Sequence, residues 1–126
     1  MKIENIKFKA KRLDNGEWIE GDLIHKETYV CIGYLSSEIP NITRVQKVDT
    51  STVCMFTGLK DCEGNEIWEG DIISSPHFER VATVKWDDSL CGFKCSDVTG
   101  NINFSFTAIA HCSEWSIVGN EFDKKK

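Results

Sequence analysis

Two short stretches of the sequence carry carboxylates at a spacing that could do chemistry. Residues 20–22 and 69–71 both read Glu-Gly-Asp, so each stretch places two carboxylates two positions apart. Such a pair could bind a cation or act in general acid–base catalysis. The same spacing is typical of a kinked strand, because glycine accepts a bulge or a positive φ and aspartate bonds to nearby amides. We favour the kink and expect both stretches to be structural.

Six cysteines and three histidines are the other candidates for chemistry. Cys91 and Cys95 are four positions apart, and His111 is next to Cys112. No Cys-x-x-Cys pair occurs, and adjacent residues on a strand point to opposite faces, so a zinc site is disfavoured. Several cysteines lie inside apolar runs, where a reduced thiol behaves as a small buried hydrophobe. We therefore expect no catalytic residue, no metal site, no cofactor and no enzyme, while metal binding by His111 or the cysteines stays open.

The composition describes a chain that can form a packed core. Of its 126 residues, 40% are hydrophobic and 28% are charged, which disfavours wholesale disorder. No apolar run reaches the roughly 18 residues of a membrane span, and residues 1–4 are not followed by an apolar signal segment. We therefore expect a cytoplasmic protein that does not enter a membrane.

The charge is unevenly distributed along the chain. The net charge is −5, yet residues 2–12 hold five basic side chains and one acidic side chain. Residues 13–123 hold seven basic and nineteen acidic side chains, so most of the chain repels phosphate backbones. This distribution favours a protein partner over nucleic acid.

The basic N-terminal segment predicts a strand that is half buried. Lysines at 7, 9 and 11 alternate with apolar residues, so one face of the strand meets the core and the lysines face water. Lysines on an edge strand also discourage unwanted pairing, which is a purely structural role. As the candidate binding site we take the basic patch formed by Lys7, Lys9, Lys11, Arg12 and Trp18.

The period of two continues along most of the chain and predicts a mainly β fold. The predicted strands cover 6–11, 17–20, 23–25, 28–34, 44–48, 52–56, 67–73, 80–86, 90–95, 102–109 and 115–118. Gly-Asp at 21–22 is expected to break one strand, and 35–43 is expected to be a loop. No amphipathic helix exceeds two turns, and 107–112 is a candidate for one short turn. Many short strands predict a sandwich or barrel.

An internal repeat predicts two related units. Residues 17–24 and 66–73 share two apolar residues, then Glu-Gly-Asp, then two aliphatic residues, at a constant offset of 49. We therefore expect two small antiparallel β-barrel or sheet units, 1–50 and 51–126, with the two Glu-Gly-Asp stretches in matching kinks. One compact domain is the alternative. Open strand edges make a homo-oligomer the expected state.

A motif in the centre of the chain consists of Phe56-Thr57-Gly58-Leu59-Lys60-Asp61, Gly64, Glu66-Ile67 and Glu69-Gly70-Asp71-Ile72-Ile73. It closely resembles the signature of the YopX family of small bacteriophage and prophage proteins. Phe8-Lys9-Ala10, Asn15-Gly16, Trp18, Gly21-Asp22-Leu23 and Ile117-Val118-Gly119-Asn120-Glu121 also fit. The resemblance implies a mainly β protein of phage or prophage origin, and it brings no catalytic residues.

Two functions follow as hypotheses. The first is a non-catalytic accessory protein that binds a host or phage protein, with a host factor as one candidate and counter-defence as a special case. The alternative is a small β-barrel module that binds nucleic acid through the basic patch. The acidic remainder of the chain disfavours the alternative.

Overall fold

The computed structural model describes residues 2–76, 78–97, 103–105 and 114–123. The prediction of a mainly β protein is confirmed. In the described residues the helical segments are two 3₁₀ turns, Ile3–Asn5 and Thr50–Thr52. The short turn predicted at 107–112 lies outside the described residues.

The strands form two antiparallel sheets. They are β1 Phe8–Lys11, β2 Trp18–His25, β3 Val30–Leu35, β4 Thr43–Lys47, β5 Cys54–Lys60, β6 Glu66–Trp68, β7 Asp71–Ser75, β8 Phe78–Asp87, β9 Gly92–Asp97, β10 Asn103–Ser105 and β11 Ser116–Asn120. One sheet has the order β4-β3-β2-β1-β5-β6 and the other β10-β9-β8-β7-β11. In the described part of the chain neither order returns to its first strand, so these are open sheets and not closed barrels.

The chain divides into two compact units, Met1–Phe56 and Thr57–Lys126. The boundary lies within β5, whose first residues, Cys54 and Met55, pair with β1. The predicted domains 1–50 and 51–126, as independently folding parts, stay a prediction.

The first unit is a curled sheet around a small apolar core. Ala10, Ile32 and Val48 are buried at its centre, and partly buried side chains from β1, β2 and β3 pack against them. Arg12, the residue after β1, forms an isolated β-bridge with Val48, the residue after β4. The sheet therefore curls back on itself at that end, while the beginning of β4 keeps an open edge.

The second unit has its own core. Its buried centre is formed by Ile67, Ile73, Ala82, Val84, Cys95 and Trp115. Successive side chains of a strand point to opposite faces, and in β7 the burial alternates accordingly. At roughly 25 cal/mol per Å² of apolar surface removed from water, this burial is the main stabilising contribution to the unit.

The predicted break at 21–22 is absent from the structure. Strand β2 runs unbroken from Trp18 to His25, with Gly21 opposite Phe8 and Asp22 opposite Gly33. Gly21 is needed for space, because a Cβ placed there would collide with the carbonyl oxygen of Gly33. A side chain at 21 is excluded by the close approach of two backbones in the curled sheet.

The second Glu-Gly-Asp stretch has a different backbone shape. Gly70 has a φ of +88° and lies in the turn between β6 and β7. Its amide donates to the carbonyl of Val84 at 2.7 Å, and its carbonyl accepts from the amide of Glu121 at 2.8 Å. Glycine adopts this positive φ without strain, whereas a residue with a Cβ would be strained there. The expectation of matching kinks is therefore wrong, since the same three residues meet different neighbours in the two units.

Candidate functional site

The predicted basic patch contains one cluster of cations on an aromatic ring. Strand β1 pairs with β2 so that Lys11 lies opposite Trp18. The ammonium nitrogen of Lys9 lies 4.6 Å, and that of Lys11 lies 5.4 Å, from the centre of the Trp18 ring. Both distances fall within the range of cation–π attraction. The two lysine stems cover part of the indole, so the ring surface nearest them is already in contact with cations.

The other two predicted residues have separate local partners. The ammonium of Lys7 lies 4.8 Å from the centre of the Phe56 ring. Arg12 makes a bidentate ion pair with Asp14, with nitrogen–oxygen distances of 2.9 and 2.7 Å. The hydrogen bond from Arg12 lowers the pKa of Asp14, although burial opposes it, and the bond from Asp14 raises the pKa of Arg12. The structure thus groups Lys9, Lys11 and Trp18, and gives Lys7 and Arg12 other contacts.

The signature residue Asp61 holds a turn and a distant strand together. Its carboxylate accepts hydrogen bonds from the amides of Glu63 at 2.9 Å, Asn65 at 2.8 Å and Ile117 at 3.1 Å. Burial by itself would raise the pKa of Asp61, but the bonds from Asn65, Ile117 and Glu63 lower it below its ordinary value. A carboxylate so fully occupied is a structural acceptor and has little capacity left for acid–base chemistry.

Asp71 holds the turn around Gly70 in the same manner. One of its oxygens accepts from the amide of Trp68 at 2.7 Å, and the other accepts from the side-chain amide of Asn120 at 3.0 Å. Asp71 and Asn120 are both buried, so each polar group needs a partner inside the protein. The signature and the C-terminal Gly-Asn segment therefore meet in one hydrogen-bond network within the second unit.

Neither sequence-derived candidate for a metal gains support from the geometry. Among the described residues, no three histidine, cysteine or acidic side chains are grouped so that they could hold a metal ion. His111 and Cys112 lie outside those residues. Cys31 and Cys54 are buried, as the apolar runs around them predict, and Cys95 is buried as well, whereas Cys62 and Cys91 are exposed. In the described part of the chain, no helix is both long enough and apolar enough to span a membrane.

The structure presents an open strand edge that the sequence does not reveal. Among the strands that the structure describes, β4 is the last strand of its sheet and pairs only with β3. The amide of Ser36 donates to the carbonyl of Ile42, and the amide of Val48 donates to the carbonyl of Val30. Because hydrogen-bonded pairs alternate in an antiparallel ladder, the even-numbered residues of β4 bond to β3. The backbone groups of Thr43 and Val45 therefore point away from β3, toward the open edge.

A hydrogen bond at the C-terminal end of β4 confirms that the backbone groups of its odd-numbered residues point away from β3. The carbonyl of Lys47 accepts a hydrogen bond from the amide of Leu13 at 3.3 Å, so it too points away from β3. Within the described chain, Leu13 covers that end of the edge and no strand covers Thr43 and Val45.

The β3–β4 hairpin, residues 30–47, also exposes apolar side chains. Leu35, Ile39, Ile42 and Val45 are between 46% and 73% exposed. Val45 lies opposite Gly33, which has no side chain to cover it. Apolar side chains beside unpaired backbone groups are the features that a strand from another chain could cover.

An open pocket of about 320 Å³ adjoins this edge. It is lined by Tyr34, Ser36, Ser37, Glu38 and Arg44. The Nε of Arg44 donates to the hydroxyl oxygen of Ser36 at 3.3 Å, and that oxygen also accepts from the amides of Glu38 and Ile39. Arg44 lines this pocket, and no carboxylate in the described residues forms an ion pair with it.

Sequence reasoning missed this hairpin because its own residues look like a loop. The segment 35–43 is rich in serine and contains proline, which predicts a connection and not a site. Leu35 and Thr43 in fact belong to the paired strands β3 and β4. The available signal was Ile39, Ile42 and Val45, three aliphatic side chains in or next to a polar loop.

A family model places the chain among known proteins. A search of curated proteins finds no match to it. A family model described as YopX protein matches residues 7–125, which is nearly the whole chain and includes β1, the signature network and the β3–β4 hairpin. The chain therefore belongs to the YopX protein family.

Proposed function

We propose that this protein is a non-catalytic accessory protein of a phage or prophage, which acts in the bacterial cytoplasm by binding a protein partner. The observation that supports the proposal is the open edge of β4, where the backbone groups of Thr43 and Val45 pair with no described strand and lie beside exposed apolar side chains. We propose that an extended segment of the partner pairs with this edge. Main-chain hydrogen bonds then provide affinity, and side-chain contacts provide specificity.

The structural roles of two signature residues also support a non-catalytic function. Asp61 and Asp71 accept hydrogen bonds from several partners within the second unit, which is the arrangement expected of structural residues. Because these signature residues hold the second unit together, we assign binding to the exposed edge of β4.

The test is a capture experiment with a matched pair of variants. Tagged wild-type protein is used to recover partners from bacterial host lysate, alongside Val45→Lys and Val118→Lys. Both valines lie on the last strand of a sheet and are 52% and 54% exposed, so the substitutions are comparable. We expect wild type and Val118→Lys to recover the same partner in stoichiometric amount, and Val45→Lys to lose it.

Two outcomes contradict the proposal. Recovery of the same partner by Val45→Lys would move the interface away from β4. A wild-type oligomer that Val45→Lys dissociates, measured by light scattering, would show that a second copy of the chain occupies this edge. A homo-oligomer whose mass is unchanged by Val45→Lys agrees with the proposal, and self-association then involves another surface.

A further inference from the structure

The structure of β4 indicates which side chains a bound partner strand carries at each position. This inference rests on the proposed function and specifies its ligand: we infer that the segment bound at β4 carries an acidic side chain flanked by apolar ones, and that Arg44 binds the carboxylate. The two faces of β4 present different side chains to an incoming strand.

The first face carries the cation. Directly paired residues of an antiparallel ladder share a face, and Arg44 lies opposite Tyr34 while Gln46 lies opposite Ile32. Ile32 belongs to the core, so this is the inner face of the curled sheet, and the pocket lies at its open end. A residue of an added strand that lies opposite Arg44 points its side chain to the same face. Its side chain therefore reaches the pocket.

The pocket has the donors that a carboxylate requires. Arg44 has guanidinium hydrogens beyond the one that it donates to Ser36, and two hydroxyl-bearing residues, Tyr34 and Ser37, line the same pocket. Arginine binds carboxylates bidentately, with shorter and stronger hydrogen bonds than neutral groups make. Strand β4 contains the basic residues Arg44 and Lys47 and no acidic residue, which adds to the attraction.

The second face selects apolar neighbours. Residues that flank the acidic one point to the opposite face, toward Val45 and Leu35, which are both exposed. Covering those side chains removes apolar surface from water. The alternation of β4 thus defines an apolar–acidic–apolar order in the bound strand.

Glu38 provides a second, independent test of carboxylate binding in the pocket. Its carboxylate also lines the pocket, yet it forms no ion pair with Arg44 among the described residues. A like charge there weakens carboxylate binding, so removal of Glu38 must strengthen it. Substitutions at 38 and 44 therefore have opposite expected effects.

The experiment uses the full chain and three synthetic peptides. The probes are fluorescently labelled Thr-Thr-Val-Glu-Val-Thr-Thr and its versions with Gln or Lys at the centre, titrated by fluorescence anisotropy at low salt. We expect wild type to bind the Glu peptide about fivefold tighter than the Gln peptide, the value for one solvent-accessible ion pair, and the Lys peptide weakest. Arg44→Gln should remove this preference, and Glu38→Gln should increase it.

A third variant separates pairing at the β4 edge from the preference for an acidic side chain. Val45→Pro removes an outward amide and should weaken all three peptides alike, with circular dichroism as the test of folding and Val45→Lys as the replacement if the proline variant is unfolded. Equal binding of the Glu and Gln peptides, with sensitivity at Val45, would overturn the acidic selectivity and leave the edge intact. Binding that neither Val45 variant changes would overturn the edge as well, and absence of binding by all three peptides would overturn the inference.

Discussion

At the scale of single residues, glycine serves two purposes within one repeated tripeptide. Gly21 lies in an extended strand, where a neighbouring carbonyl leaves no space for a side chain. Gly70 lies in a turn with φ at +88°. The tripeptide is the same, so the difference comes from what each chain segment packs against.

Alanine substitutions at the two glycines should have unequal effects. We expect Gly70→Ala to lower the free energy of unfolding by about 1–2 kcal/mol, the cost of a positive φ for a residue with a Cβ. Gly21→Ala should lower it further, because the clash is with backbone that must move. Gly70→Asn should recover part of the loss, since asparagine tolerates positive φ, while Gly21→Asn should not. Urea denaturation measures all four, and equal losses for the two alanine variants would contradict this account.

Titration of Asp61 makes the free energy of unfolding depend on pH. Its pKa is lower in the folded state than its ordinary value of 3.8, so its contribution is complete above that value and is lost as the pH falls through the folded pKa. Asp61→Asn removes the charge that three amides bind, so we expect a loss of about 1–3 kcal/mol at pH 7. The difference between wild type and Asp61→Asn should narrow below pH 4. A constant difference from pH 7 to pH 2 would show that Asp61 does not titrate as described.

At the scale of secondary-structure elements, the described cysteines on strands are buried and those in turns are exposed to solvent. Cys31, Cys54 and Cys95 lie on strands and are buried, while Cys62 and Cys91 lie in turns and are exposed. Burial raises the pKa of the Cys95 thiol to about 12, which suppresses the reactive thiolate.

Alkylation of the native protein should therefore be selective. We expect iodoacetamide at pH 8 to modify Cys62 and Cys91 well before Cys31, Cys54 and Cys95, because only the exposed pair reaches solvent without unfolding. Peptide mass spectrometry at successive times identifies each modified site. Urea-unfolded protein is the control, in which these five thiols should react at similar rates.

At the scale of the whole molecule, the charge differs between the two units. Residues 1–56 hold eight basic and eight acidic side chains, and residues 57–126 hold seven basic and twelve acidic ones. The basic patch of β1 is thus balanced within its own unit, and Arg12 is paired with Asp14. A nucleic acid would meet no net positive unit.

This balance gives the nucleic-acid alternative a direct test. If the protein binds proteins, we expect no mobility shift with a 20-nucleotide single strand at 20 mM salt, where electrostatic attraction to phosphate is strongest. A shift that Lys9→Gln with Lys11→Gln abolishes, and that Lys26→Gln with Lys85→Gln retains, would support the alternative and oppose the proposed function.

The sequence by itself determined the type of structure and the family. Alternation with a period of two predicts strands, since side chains on a strand point to opposite faces, and the alternating residues at 6–11 do include strand β1. The signature from 56 to 73 is local, so it can be recognised without coordinates, and the family match confirms it.

Only the tertiary structure decided what those residues do. Whether a Glu-Gly-Asp stretch is a strand or a turn depends on neighbours such as Gly33 and Val84, which are distant in sequence. Strand pairing likewise places Lys9 beside Trp18 and Lys7 beside Phe56. The open edge of β4 is a property of strand order, which no local pattern encodes, because an edge exists only where no other strand pairs.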